Sequence, residues 1–492
     1  MMMKGSVSYN PMNGRLTAGR KSLSYEVAKT EKGSNHWSST ENNQNNGRNV
    51  NFNTGNTNNN NKYNSNVVRP VAAFLGEPPV NFIRSVWEAF EDCLRGKMRS
   101  DGAVEYMQIA HTDIVSLARE LWNGTYQPGT STCFLVKYPK WREVFAAGFR
   151  DRIVHHWICL RLEPLFEHRF VSQGNVSFNC RKGFGTDKAV EHVSEAMRRV
   201  SCNYRKKAWV FRGDLVGFFM AIDKDLLWRM LEKFITRWKT KNKREGWKSL
   251  YDLGIVGEMP DMYWEILMRV TRQVVLHHPE KDCVLNTPPE QWAHMEQNKS
   301  LFTSPTGEPI GNLTTQLFAN FLMSFFVAYV QFLFRRKNFG MAQFVDDFVI
   351  VCDDLDFLVS AIHKLKDFLS VCLHQTLHED KQYLQPVSHG VLFVGAFIKP
   401  QRLYLSSRTL ARFKERCKGF GRALETGRCT EQDLSRMEQV LNSYMGFCRR
   451  RRTYKFRREF IVLMGASFWK YFFIRGHYET IRVKGRYRPI AA

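Results

Sequence analysis

Two adjacent carboxylates, Asp346 and Asp347, stand between apolar runs: Gln343, Phe344 and Val345 before them, Phe348, Val349, Ile350 and Val351 after. The β-branched and aromatic content predicts a β-hairpin with the acids at its turn. Inside a buried strand such a pair is costly unless something compensates it. Alone, the pair fits any solvated hairpin tip. A third acid changes that. The run Ala208, Trp209, Val210, Phe211, Arg212, Gly213 delivers Asp214 at its end, before a helix-like stretch over residues 221–234. Three carboxylates on two strand ends can hold two Mg²⁺ ions about 4 Å apart, the spacing that clamps attacking and leaving oxygens in phosphoryl transfer. Carboxylates suit the task because Mg²⁺ is a hard ion that prefers oxygen donors.

The elements around these acids follow from periodicity. Phe82, Val86, Phe90 and Cys93 recur at helical spacing, as do Ile114, Leu117 and Leu121. The apolar run 321–334 is interrupted by Ser324 and Gln331, is too short to span a bilayer, and predicts a buried helix. Leu358, Ile362, Leu365, Phe368 and Leu369 predict a helix after the hairpin. Residues 404–475 read as helical, and 476–492 as a basic tail. Lys239, Lys241, Lys243, Arg244 and Lys248 predict a basic loop, and Asp223 and Asp225 a helix start.

The box Phe344, Val345, Asp346, Asp347, with Asp214 and Phe219 upstream, resembles the palm of reverse transcriptases, over about residues 76–470. The segment Glu308, Pro309, Ile310, Gly311, Asn312, Leu313, Thr314, Thr315, Gln316 narrows the likeness. Most reverse transcriptases carry Gln-Gly-x-x-x-Ser-Pro there. A Gly-x-x-x-Ser-Gln form after an aliphatic residue is similar to the enzymes of diversity-generating retroelements. Thr315 replaces the usual Ser and keeps the hydroxyl.

The resemblance implies an α+β right-hand polymerase: fingers over 76–205, palm over 206–400 with an insertion at about 236–300, and helical thumb over 401–475. It implies that Asp214, the backbone carbonyl of Leu215, Asp346 and Asp347 bind two Mg²⁺ ions, with Mn²⁺ as a substitute. Lys381 matches the position that would protonate pyrophosphate, where a placed cation is chemically sensible. Lys140, Arg142 and Arg181 match fingers positions that would hold the deoxynucleoside triphosphate, a task suited to multidentate cations. Phe219, Ile310, Gly311 and Gln316 complete the nucleotide site, Phe219 against the sugar and Gly311 permitting close approach to a base pair. Ile310 stands where most relatives keep a hydrogen-bonding Gln. Discrimination then rests on shape, a weaker filter, so low fidelity is expected, with errors mainly opposite adenine. Residues 391–397 look like the hairpin that grips the primer end.

Net charge is +25 in 492 residues, which predicts a polyanionic partner. Arg449, Arg450, Arg451, Arg452, Lys455, Arg457 and Arg458 place seven cations in ten residues beside Tyr454 and Phe456, a candidate nucleic-acid surface. The 11 cysteines show no metal spacing and predict reduced thiols. Met1 to Asn10 lacks an apolar segment, so a cytoplasmic, bacterial or phage-encoded protein without membrane attachment is expected. Expected partners are template RNA, a DNA or RNA primer, deoxynucleoside triphosphates and, by resemblance, a pentameric basic accessory protein.

Residues 1–75 differ in kind. Fifteen Asn fall between Asn35 and Asn66, a tract expected to be disordered. Within it, residues 33–74 resemble the end of a C-type-lectin-fold variable protein, which a retroelement's template repeat encodes. Asn codons begin with two adenines, so a translated template repeat would be Asn-rich. The alternatives are a reverse transcriptase of group II intron, retron or phage-defence type, and a non-catalytic RNA-binding protein.

Overall fold

A computed structural model describes the chain except residues 1–6, 10–15, 19–34, 42–45, 52–56, 62–75, 99, 138–139, 246–258, 296–299, 305, 450, 452 and 488–492. Residues 1–76 form one unit and 77–492 another. In the first unit Asn35–Glu41, Asn46–Asn51 and Thr57–Asn61 pair as a three-stranded antiparallel sheet. The expectation of disorder is corrected over these ranges: Trp37, Thr40, Val50 and Thr57, good strand formers, punctuate the asparagines.

The second unit is built on a four-stranded antiparallel sheet. Its order is Phe339–Phe344, Asp347–Cys352, Trp209–Gly213 and Tyr383–Pro386. The acid pair therefore sits at the tip of one hairpin, and Asp214 follows the adjacent strand at the same end, since Phe348 pairs with Gly213. Successive side chains point to opposite faces of a strand, and both faces here are covered. Phe211, Phe348 and Ile350 enter the larger core, whereas Val210, Val349 and Val351 enter a second one. Burial on both sides explains the nearly unbroken apolar runs read from the sequence.

The expected central helix spans Leu313–Phe334. It is long and apolar enough to cross a membrane, yet most of it is buried within this fold. Its rings form part of the larger core: Phe321 stacks on Phe166 at 4.5 Å and Phe326 meets Phe348 at 4.7 Å. Helices Val80–Leu94, Asp101–Asn123 and Leu355–Leu373 occupy the predicted positions. The second core packs Thr186–Val200 and the sheet Val391–Phe393, Ala396–Lys399, Arg402–Leu405 against the four-stranded sheet.

Three expectations are corrected. The basic stretch from Lys239 to Arg244 is the end of helix Lys224–Glu245, with Lys239 paired to Glu265; Lys248 lies outside the described residues. Trp228, Leu231, Ile235 and Trp238 bury one face of that helix and leave its cations on the other. Strand Cys283–Leu285, within the expected palm insertion, joins the sheet of Ser131–Val136 and Arg142–Ala146. Within the expected basic tail, Thr480–Val483 pairs as a hairpin with Phe472–Arg475, and its Ile481 and Val483 enter the core of the three longer C-terminal helices.

Those helices are Ser407–Glu425, Glu431–Arg449 and Tyr454–Val462. Truncating Phe326, buried against Phe348, is expected to cost about 3–5 kcal/mol through a cavity behind the sheet. A lowered urea midpoint of Phe326→Ala checks this; an unchanged midpoint would refute the packing.

Candidate active site

Asp214 and Asp347 share one cation. Arg212 donates from Nη2 to Asp347 Oδ1 at 2.6 Å and from Nε to the same oxygen at 3.0 Å. Its Nη2 also stands 3.9 Å from Asp214 Oδ2. Arg212 lies on the strand and Asp214 two positions later, just past its end, so the strand's alternation leaves the two side chains on one side. A second cation, Lys381, donates to Asp214 Oδ1 at 3.0 Å. It comes from the short helix Glu379–Lys381, tied down by the His378 amide donating to the Asp214 carbonyl at 2.8 Å.

The acids repel one another where water is scarce. Burial first, and then the charge of Asp214, pushes the Asp346 carboxyl up, with Arg142 and Lys381 opposing. Burial pushes Asp347 up to about 6, with Arg212 opposing and Asp346 and Asp214 adding to the rise. Clustered acids with raised pKa values, compensated by placed cations, mark a functional-site candidate. Carboxylate oxygens are the donor type that a hard divalent ion prefers. Among the described residues, no three His, Cys, Asp or Glu side chains converge as a ready metal shell. Arg212 and Lys381 hold two of the three acids.

The predicted nucleotide residues separate into two groups. Arg142 is exposed at the start of its strand, and its charge reaches Asp346. Lys140 is exposed two positions earlier. Phe219 and Ile310 pack on one small cluster with Cys133, Phe145, Met220 and Leu301, while Phe218 turns into the larger core. Gln316 is exposed, and its Oε1 accepts from Cys180 Sγ at 3.2 Å. Leu215 is buried and bridged to Leu377.

Arg181 is a correction. Its guanidinium is 1% exposed, bonds Glu167, Asn175 Oδ1 and the Ser177 carbonyl, and lies 3.8 Å from the Phe184 ring. It staples its own loop and cannot reach a triphosphate from there. Gly311 is another. At φ 135° its missing Cβ leaves room for the Phe145 carbonyl, with the Phe145 amide donating to the Ile310 carbonyl at 2.8 Å. The close approach is to protein backbone. Thr315 spends its hydroxyl on the Pro309 carbonyl at 2.9 Å, closing the same turn.

The C-terminal cation cluster is corrected in part. Arg451 is 2% exposed, pairs with Asp187 at 3.2 Å and stacks on Phe447. Arg457 is buried and donates to the Tyr478 carbonyl at 3.1 Å. Arg449, Lys455 and Arg458 are exposed, while Arg450 and Arg452 lie outside the described residues. Arg212 escaped the sequence reading, although a lone Arg in an apolar strand, in step with Asp214, is a signal.

No protein-family model matches the chain. Protein YkfC of Escherichia coli strain K12 is 26% identical over 124 residues, covering 24% of this chain and 31% of YkfC. The chain thus spans under a third of that curated relative. Among solved structures, apo telomerase from Candida tropicalis aligns with a TM-score of 0.40 at 11% identity, over 68% of this chain and 62% of that one. Telomerase from Candida albicans in complex with a TWJ fragment of telomeric RNA aligns with a TM-score of 0.39 at 13% identity, over 71% of this chain and 60% of that one.

Glu308, beside the Ile310 turn, yields a pH prediction. Burial pushes its carboxyl up to about 8, with Lys224 and then Thr315 opposing. A carboxyl raised above its unfolded value of ~4.3 favours the folded state at low pH and loses that contribution as pH rises through the folded value. Wild-type stability should therefore decline towards pH 8 through this group. Glu308→Gln should flatten the decline and be the more stable form above that pH. Melting temperatures across the range check this; parallel profiles would contradict it.

Proposed function

We propose that this chain is an RNA-directed DNA polymerase of the error-prone kind encoded by diversity-generating retroelements. The observation that carries the polymerase reading is the meeting of Asp214 and Asp347 around Arg212, with Asp346 beside them at one end of an antiparallel sheet. Arg142 and Lys381 add positive charge at the same place, which favours a triphosphate. Template RNA, a DNA or RNA primer and deoxynucleoside triphosphates are the proposed partners, with a pentameric basic accessory protein.

In the proposed reaction the primer 3′-hydroxyl attacks the α-phosphate of the incoming nucleotide and pyrophosphate leaves. Asp214, Asp346, Asp347 and the Leu215 carbonyl would hold Mg²⁺, or Mn²⁺ in its place, which when bound stabilises the attacking and leaving oxygens. The donor set fits such ions: it is all oxygen, and its mutual repulsion gives it a charge to be neutralised. Arg142 would orient the triphosphate. Lys381 would give a proton to the departing pyrophosphate. Exposed Arg449, Lys455 and Arg458 would meet the phosphate backbone of template and primer.

Three features support the retroelement assignment: aliphatic Ile310 before Gly311, the hydroxyl of Thr315, and the Asn-rich tract resembling a translated template repeat. Ile310 and Phe219 share one small apolar cluster, so selection by shape without a hydrogen bond suits this wall.

Sequencing of cDNA tests the proposal. The chain, its accessory protein and cognate RNA are supplied with Mg²⁺ and deoxynucleoside triphosphates, alongside an Asp346→Asn/Asp347→Asn variant. The expected product carries substitutions concentrated at template adenines and is absent from the variant. Faithful cDNA would overturn the retroelement assignment and leave the polymerase; equal product from both proteins would overturn the site.

A further inference from the structure

Val345, between the palm strand Phe339–Phe344 and the acid pair, lies at φ 56°. A β-branched residue in this left-handed region is a genuine outlier and persists only where its surroundings hold it. Both backbone polar groups of Val345 are in fact held by side chains. Its amide donates to Asn179 Oδ1 at 3.0 Å, and its carbonyl accepts from Gln343 Nε2 at 2.6 Å.

These side chains belong to one buried network. Gln343 is fully buried, and Ser177, Asn179 and Asn320 are nearly so. The Ser177 hydroxyl shares its single proton between Gln343 Oε1 and Asn320 Oδ1. Asn320 Nδ2 donates to the Asn179 carbonyl at 3.1 Å. Backbone bonds join the same partners: the Phe178 amide donates to the Gln343 carbonyl at 3.0 Å, and the Gln343 amide to the Val176 carbonyl at 2.8 Å. Arg181 fixes the loop from its other side by donating to the Ser177 carbonyl at 2.7 Å. A fully satisfied buried network of this kind specifies one geometry.

We infer that Asn179 and Gln343 form a clamp that holds Val345 in the left-handed conformation and thereby aims Asp346 and Asp347. Asn179 is a positioning residue for the active site, reached from the 177–181 loop rather than from the palm. The inference rests on the polymerase reading for its kinetic consequence and on geometry alone for the clamp.

Glycine adopts the left-handed region at no steric cost, so Val345→Gly removes the need for the clamp. The full chain is compared as wild type, Asn179→Ala, Val345→Gly and the double variant. Hydrogen exchange reads the clamp directly. In Asn179→Ala the Val345 amide should exchange at least about tenfold faster, while the amides of Asp347–Cys352 keep their protection. Primer extension on an RNA template reads the consequence. Asn179→Ala should lower kcat by about 100-fold, the scale of an ångström-sized misplacement, with little change in KM for the nucleotide. The double variant should regain most of that kcat while its melting temperature stays at the Asn179→Ala value. A merely structural Asn179 would give activity that tracks melting temperature, with no rescue by glycine, and would overturn the inference. An unchanged Val345 exchange rate would do so as well. Absence of extension by wild type, with exchange accelerated as expected, would sink the polymerase reading and leave the clamp standing.

Discussion

Mutual repulsion among three half-buried carboxylates is the constraint on which this end of the four-stranded sheet depends. A sheet end with Asp214, Asp346 and Asp347 together would be unfavourable if all three were charged and uncompensated. The fold answers with Arg212 on the strand and Lys381 on the short helix beside it. Two strands buried on both faces fix where the acids emerge. The cations determine how much negative charge the place can carry before any ligand arrives. The resulting site is electrostatically strained, and a divalent ion relieves such strain.

The same sheet end shows how distant segments converge. The strand of Asp214 is followed by the turn holding Phe219, which packs with Ile310. Ile310 in turn bonds Phe145, in the strand that begins with Arg142. The strand Arg142–Ala146, the turn after Asp214 and the 308–316 turn are thus one connected wall beside the acids. A defect at Gly311, where any Cβ would strike the Phe145 carbonyl, would move Arg142 relative to Asp346.

Much of this was legible in the sequence because it rests on local signals. Apolar runs rich in β-branched and aromatic residues gave the acid hairpin, the apolar run 321–334 gave most of the helix Leu313–Phe334, and periodicity gave the helices Val80–Leu94 and Asp101–Asn123. What was misread concerns cations. Arg181, Arg451 and Arg457 read from the sequence as ligand-facing charges, yet each is buried on protein acceptors. Asp187, the partner of Arg451, lies far away in sequence, whereas Arg181 bonds residues of its own loop. A run of arginines carries no mark of which members are inward staples and which face solvent. The Val345 clamp was unreadable because Asn179 and Val345 meet only once the 177–181 loop is laid against the strand Phe339–Phe344.

The central claim is that Asp214, Asp346 and Asp347 form one divalent-ion site. Counting bound Mn²⁺ by electron paramagnetic resonance, with an annealed primer–template and a non-hydrolysable nucleotide present, tests it most directly. The account predicts two bound ions per chain, about as in two-metal sites, and loss of bound ion in Asp214→Asn. Equal Mn²⁺ occupancy in wild type and Asp214→Asn would contradict it.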